Sequence, residues 1–132
     1  MCSVGTQIYY DTDLNSKDED WSAYLDFKWD RLKIVESLNS LDWLDLQEEN
    51  AQNPHKISYY CNPEKYNEEK IKSRLGNDWY HINVIASHNK FVDILPKRAS
   101  KGNAILYLCH KWGVQLNKVY ACGDSGNDMD MF

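Results

Sequence analysis

No stretch of this chain approaches the roughly 20 consecutive apolar residues of a membrane span. No basic segment followed by an apolar one opens it, so no secretory signal peptide is expected. Positive charge is in deficit: 15 Lys and Arg against 20 Asp and Glu give a formal net charge of −5. With no basic patch in the sequence, that balance argues against a nucleic-acid partner. The cysteines at 2, 61, 109 and 122 are scattered and make no C-x-x-C pair. They are expected to be reduced, mostly packed side chains of a cytoplasmic protein. His81, His88 and His110 lack zinc-ligand spacing, so no zinc site is expected. Internal repeats and low-complexity segments are missing too. What remains, at 42% apolar and 13% aromatic residues, is the composition of a folded globular chain rather than a disordered one.

Local patterns divide the sequence into short elements. Val4 to Tyr10 reads as a strand and Asp11 to Asp20 as a polar loop. Trp21, Leu25, Trp29, Leu32 and Val35 recur at three- and four-residue steps, which predicts an amphipathic helix from Glu19 to about Asn39 with that stripe in the core. Leu41 to Leu46 and Ile57 to Cys61 read as strands flanking a polar link. Asn62, with Pro63 at the first helical position, predicts a helix that runs to Leu75 and stops at Gly76. Trp79 to Ala86 and Phe91 to Leu95 read as strands joined by a hairpin-like turn, Ser87-His88-Asn89-Lys90.

The chemistry gathers beyond Pro96. Ser100-Lys101-Gly102 precedes an apolar stripe at Ala104, Ile105, Leu108 and Trp112 that ends at Gly113, the spacing of a helix with a Ser N-cap and a Gly stop. Lys101 then sits in a first turn, where free N–H groups and the helix dipole already favour anions. A short apolar run, Val119-Tyr120-Ala121-Cys122, predicts a strand, and Gly123-Asp124-Ser125-Gly126-Asn127-Asp128 follows it. Loops after strands lie on the ligand side of an α/β sheet. Two nearby carboxylates there are hard oxygen donors suited to Mg²⁺, which keeps waters and a substrate phosphate as its other ligands. The same residues are also ordinary turn chemistry, and most lysines are solvated. The order lysine, helix, strand, acidic loop favours a phosphoryl-transfer site.

Lys101 and Gly123-Asp124-Ser125-Gly126-Asn127-Asp128 resemble the third and fourth signature motifs of the haloacid dehalogenase superfamily of phosphatases. Val4-Gly5-Thr6-Gln7-Ile8-Tyr9-Tyr10, Gln52-Asn53-Pro54-His55-Lys56-Ile57-Ser58-Tyr59-Tyr60 and Val92-Asp93-Ile94-Leu95-Pro96 resemble the sucrose-phosphate phosphatases within it, and the related C-terminal domain of sucrose-phosphate synthases. The likeness covers nearly the whole chain. It implies an α/β protein: part of a Rossmann-like core carrying an α+β, C2-type cap. On that plan residues 1–10 are a core strand leading into the cap, 11–95 the cap, and 96–132 a partial core with the two motifs. The implied activity is Mg²⁺-dependent hydrolysis of a sugar phosphate, with sucrose 6-phosphate foremost. Lys101 would hold the phosphate, Asp124 would ligate Mg²⁺, and Asp128 would serve as a further ligand or an outer-shell acceptor. Ser125 and Asn127 would position the phosphate or the acids. Gln52, Asn53, His55 and Lys56 match the segment that faces the sugar. The implied partners are the sugar phosphate and a sucrose-phosphate synthase, with no nucleic acid or membrane, and the implied state is a monomer.

The family's nucleophile is an aspartate in an Asp-x-Asp pattern after an apolar strand. Asp11-Thr12-Asp13 has that spacing but is set aside. Asn15 stands where the family has Thr or Val, and Val4 to Tyr10 matches a later family segment. Asp11 and Asp13 are then expected to be solvated loop acids. The resulting expectation is a fragment of the parent enzyme, inactive alone. The alternative is a non-catalytic phosphatase-like module that binds a sugar phosphate or a sucrose-phosphate synthase.

Overall fold

A computed structural model describes residues 1–124 and 126–132, with backbone alone at 126 and 127. In chain order its elements are α1 (Glu19–Leu25), α2 (Arg31–Leu38), β1 (Leu44–Leu46), β2 (Ile57–Cys61), α3 (Glu68–Leu75), β3 (Ile82–Ser87), β4 (Phe91–Pro96) and α4 (Lys101–Trp112), with short 3₁₀ turns between them. Packing divides the chain into two compact units, residues 26–97 and residues 1–25 with 98–132. No helix among the described residues is long and apolar enough to cross a membrane.

The contiguous unit is built on a four-stranded antiparallel sheet of order β1-β2-β4-β3. Period-2 alternation puts Ile57 and Tyr59 of β2, and Val92 and Ile94 of β4, on one face. There they meet Ile34 and Leu38 of α2 and Ile71 and Leu75 of α3 in a single core cluster. The β3–β4 connection is a three-residue loop, His88 to Lys90, between the paired Ser87 and Phe91, with His88 at φ 52° and Asn89 at φ 53°. Both residues lie in the left-handed region, which Asn and His enter more readily than most residues. The Lys90 N–H closes it on the Ser87 carbonyl at 3.2 Å.

The predicted helix from Glu19 to Asn39 is two helices. Lys28 sits between them at φ 50°, and Asp30 starts α2 by accepting the Lys33 N–H on its side chain. The three- and four-residue steps run through this break and hide it. Past it the buried face moves to Ile34 and Leu38, and Leu32 is left exposed. The helix expected from Pro63 begins instead at Glu68. Asn62 caps only a turn there, while Asn67 accepts the Lys70 N–H and Glu68 and Glu69 fill the first turn. Residues 79–81, read as strand, belong to a 3₁₀ turn, Gly76–His81.

In the other unit, Val4 to Tyr10 is not a strand. A 3₁₀ turn at Ser3–Gly5 and two isolated bridges, Cys2 with Gln7 and Tyr9 with Lys17, replace it. Gly5 explains the tight course: it sits at φ +88°, and a Cβ there would lie 2.7 Å from the Lys101 nitrogen. The neighbouring Trp21 is 1% exposed and donates its indole N–H to the Gly5 carbonyl at 3.0 Å. Burying an aromatic of that size contributes about 3 kcal/mol. Residues 11–25, expected to open the cap, pack in this unit because Asp18 binds α4. Its buried carboxylate accepts from Tyr107 Oη at 2.9 Å, Lys111 Nζ at 2.9 Å, the Trp21 N–H at 2.9 Å and Tyr10 Oη. The strand expected over Val119 to Cys122 has no ladder partner among the described residues. A parallel strand needs neighbours to bond to, and the described residues of this unit include no other strand.

Candidate functional site

Helix α4 begins as its sequence predicts. Ser100 is extended at φ −158°, ψ 162°, and its hydroxyl accepts the Asn103 N–H at 3.0 Å. Gly113 ends the helix in the left-handed region at φ 65°. Lys101 is the first helical residue. Two of the first-turn donors, however, already have partners: the Gly102 N–H goes to Asp130 Oδ2 at 3.0 Å, and the Asn103 N–H to Ser100. An anion held here is the protein's own carboxylate, which the helix dipole favours. Asp130 was not among the sequence candidates. Its only signal is an acid two residues past the signature.

Lys101 Nζ forms an ion pair with Asp128 Oδ1. The other oxygen, Oδ2, accepts the Asp124 N–H at 3.2 Å. Asp128 is 4% exposed, and a carboxylate that dry must be paired to stay charged. Gly123 permits the approach, since a Cβ there would lie 2.6 Å from Asp128 Cγ. The structure therefore brings Lys101, Asp124 and Asp128 together across the sequence, with Asp128 inside and Asp124 exposed. Ser125 and the side chain of Asn127 lie outside the described residues.

No cluster of three His, Cys, Asp or Glu side chains that could hold a metal occurs among the described residues. Mg²⁺ does not require one: it is commonly bound through one or two carboxylates, with waters and substrate phosphate completing the octahedron. Asp124 and Asp128 are the two acids of this loop that could supply such donors. Both Asp128 oxygens are engaged, one by Lys101 and the other by the Asp124 N–H.

In the 26–97 unit, Gln52, Asn53, His55 and Lys56 form one tight loop. Gln52 is committed to the fold: its amide nitrogen donates to the Ser58 and Gln47 carbonyls at 2.8 and 3.1 Å, and its oxygen accepts the Ser58 N–H at 2.9 Å and Arg31 at 3.1 Å. Asn53 Oδ1 accepts the His55 N–H at 2.8 Å, and Asn53 bridges to Lys56. His55 is buried, with Nε2 at 2.7 Å from the exposed Asp26 carboxylate. The Trp29 indole N–H ties to the Pro54 carbonyl at 2.8 Å. Lys56 is half-buried. Trp29, expected in the core stripe, does pack against the core, but both it and Asp26 lie at the break between α1 and α2, which the helical spacing hides.

Asp11 and Asp13 are exposed. The Asp11 carboxylate accepts the Asn15 and Ser16 N–H groups at 3.0 and 3.1 Å, and the hydrogen bonds from Ser16 lead in holding its carboxyl below the ordinary range. All four cysteines are free thiols: Cys109 is buried, Cys61 half-buried, and Cys2 and Cys122 exposed.

The profile of the family described as Sucrose-6F-phosphate phosphohydrolase matches residues 1–132. Among curated proteins, Sucrose-phosphatase 1 of Nicotiana tabacum is 38% identical over all of this chain, which spans 32% of that relative's length. Among solved structures, the sucrose-phosphatase from Synechocystis sp. in complex with sucrose and phosphate superposes with a TM-score of 0.82 at 33% identity, covering 97% of this chain and 52% of that one. A haloacid dehalogenase-like hydrolase from Bacillus subtilis shares the fold, with a TM-score of 0.57 at 22% identity over 96% of this chain and 44% of its own.

Proposed function

The chain belongs to the sucrose-6F-phosphate phosphohydrolase family, and from that premise we propose that it forms part of a Mg²⁺-dependent phosphatase that hydrolyses a sugar phosphate, sucrose 6-phosphate foremost. The observation that carries this reading is the buried Asp128 carboxylate joining Lys101 to the Asp124 loop. It sets an ammonium against a buried acid at one helix start and ties the backbone of the Asp124 loop to that acid, which supports a site for phosphoryl transfer. Lys101 neutralises phosphoryl oxygens. Asp128 fixes the direction of the Lys101 ammonium, and its acceptance of the Asp124 N–H orients that loop. Asp124 would hold Mg²⁺ with support from Asp128, and the ion would supply neutralisation of charge developing on the phosphate. Ser125 and Asn127 position the phosphate. The attacking aspartate is supplied from outside these 132 residues.

In this reading residues 26–97 serve as the C2-type cap and the other unit as part of the Rossmann-like core. The Gln52–Lys56 loop faces the sugar, with Gln52 shaping it and Asn53, His55 and Lys56 offering polar contacts. A cytoplasmic monomer acting on a small sugar phosphate fits the acidic, span-free chain, and a sucrose-phosphate synthase is the protein partner the family implies.

Substrate choice tests the loop. In a protein of the relatives' full length, Lys56→Ala is expected to lower kcat/KM for sucrose 6-phosphate about two- to tenfold, the worth of one hydrogen bond. Hydrolysis of p-nitrophenyl phosphate, which has no sugar, should stay unchanged. His55→Ala should show the same bias on top of a loss of stability, because His55 is buried against Asp26. Equal losses for both esters in Lys56→Ala would remove the sugar-facing assignment. Turnover of neither ester by the unaltered protein would favour the non-catalytic module.

A further inference from the structure

The acidic loop is fastened to α4 at a second point that has no role in the reading above. Asp130 accepts the Gly102 N–H on Oδ2 at 3.0 Å. Its main chain closes on the same residue: a Cβ added to Gly102 would lie 2.8 Å from the Asp130 carbonyl carbon and 3.0 Å from Oδ2. Gly102 is buried inside a helix, where glycine is ordinarily the poorer choice against alanine. The close approach of Asp130 accounts for it. Asp130 and Asp128 share one 3₁₀ turn, Gly126–Met131. Gly102 follows Lys101 directly. Whatever fixes Asp130 on Gly102 therefore fixes the partners of the Lys101–Asp128 pair relative to each other.

We propose that Asp130 is a positioning residue. Its carboxylate and main chain clamp the 3₁₀ turn onto the first turn of α4, and the clamp sets where the Lys101 ammonium stands. The clamp follows from contacts within this chain; its effect on turnover rests on the phosphatase reading. Charge adds to the hydrogen bond here, since a carboxylate at a helix start meets the positive end of the dipole.

Two arms test this separately. In the 132-residue chain, backbone amide NMR of Asp130→Ala should move the Gly102 signal and, through the loosened turn, the Asp124 signal. Asp130→Asn keeps an acceptor and should restore both. Gly102→Ala attacks the clamp from the other side. It should lower the thermal midpoint, opposite in sign to the usual helix effect of that change, and shift the Asp124 amide. A raised midpoint in Gly102→Ala, or an unmoved Gly102 amide in Asp130→Ala, would overturn the clamp. In a protein of the relatives' full length, assayed with p-nitrophenyl phosphate, Asp130→Ala should lower kcat by on the order of 10-fold with KM nearly unchanged, as small misplacements of a charged group do. Asp130→Asn should recover most of that loss. Shifted amides with unchanged kcat would overturn the positioning role. An unaltered protein without phosphatase activity would overturn the phosphatase reading, and the amide signals would still decide the clamp.

Discussion

Lys101→Ala is expected to cost this chain stability as well as chemistry. Asp128 is 5% exposed at its side chain and Lys101 25% exposed. Removing one partner of a buried pair leaves an uncompensated charge and typically costs roughly 3–5 kcal/mol. The partial exposure of Lys101 puts the expected loss near the low end of that range. A lysine read as solvated would cost next to nothing, so the two views differ by a measurable amount in a urea titration. The double change Lys101→Ala with Asp128→Asn should recover much of the stability, because the stranded charge is gone. It should not recover activity. In a protein with the whole catalytic apparatus, both variants should lose on the order of 10²- to 10³-fold in kcat, the usual cost of deleting one preorganised charge at a transition state. An unchanged urea midpoint for Lys101→Ala would show that Asp128 does not depend on this lysine.

Asp18→Asn should destabilise the chain by a similar amount, through a site that no motif marks. The Asp18 side chain is 1% exposed and pairs with Lys111. Burial pushes its carboxyl up, but hydrogen bonds from Tyr10, the Trp21 N–H, Lys111 and Tyr107 outweigh it and bring it down to about 2. Asp18 in turn raises the Lys111 ammonium well above the lysine range. Asparagine keeps one acceptor but loses the charge and turns an amide N–H₂ toward donors, for an expected cost of about 3 kcal/mol at neutral pH. The pH dependence has a definite sign. A carboxyl depressed in the folded state contributes stability above its unfolded value, near 3.8, and loses it as pH falls through the folded one. The stability gap between the unaltered chain and Asp18→Asn should therefore be constant from neutral pH to about 5 and shrink by about 2 kcal/mol as pH falls toward 2. A gap that does not change with pH would sink this account.

Much of the candidate site was legible before the structure because local chemistry determines it. Ser100 as N-cap, Lys101 at the first position and Gly113 as left-handed stop follow from capping rules that act within one helix. The hairpin turn over Ser87-His88-Asn89-Lys90 and the strand from Ile57 to Cys61 are equally local. What escaped depends on distant partners. The break at Lys28 is concealed by apolar residues that keep helical spacing on both sides of it. The committed state of Gln52 depends on Arg31 and Ser58, which its own neighbours do not announce. Val119 to Cys122 has the composition of a strand, but ladder bonds come from other strands. Asp18 and Asp130 looked like two more acids in an acidic chain; their partners stand at Lys111 and Gly102.

The division of the chain also sets an order of events in time. Residues 26–97 are contiguous, and their sheet includes a hairpin closed by a three-residue loop, an element that forms in microseconds. The other unit joins the first 25 residues to those beyond 97. Gly5 meets Ser100, and Asp18 meets Tyr107, only by closing a loop that contains the whole of the contiguous unit. Closing about 70 disordered residues costs about 4 kcal/mol of chain entropy. Refolding should thus proceed inward to outward. Pulse-labelled amides of β2, β3 and β4 should gain protection before those of α4, and a slow phase should be confined to the signals of Trp21 and Tyr107. Simultaneous protection of both sets would mean that the two ends find each other without waiting for the middle.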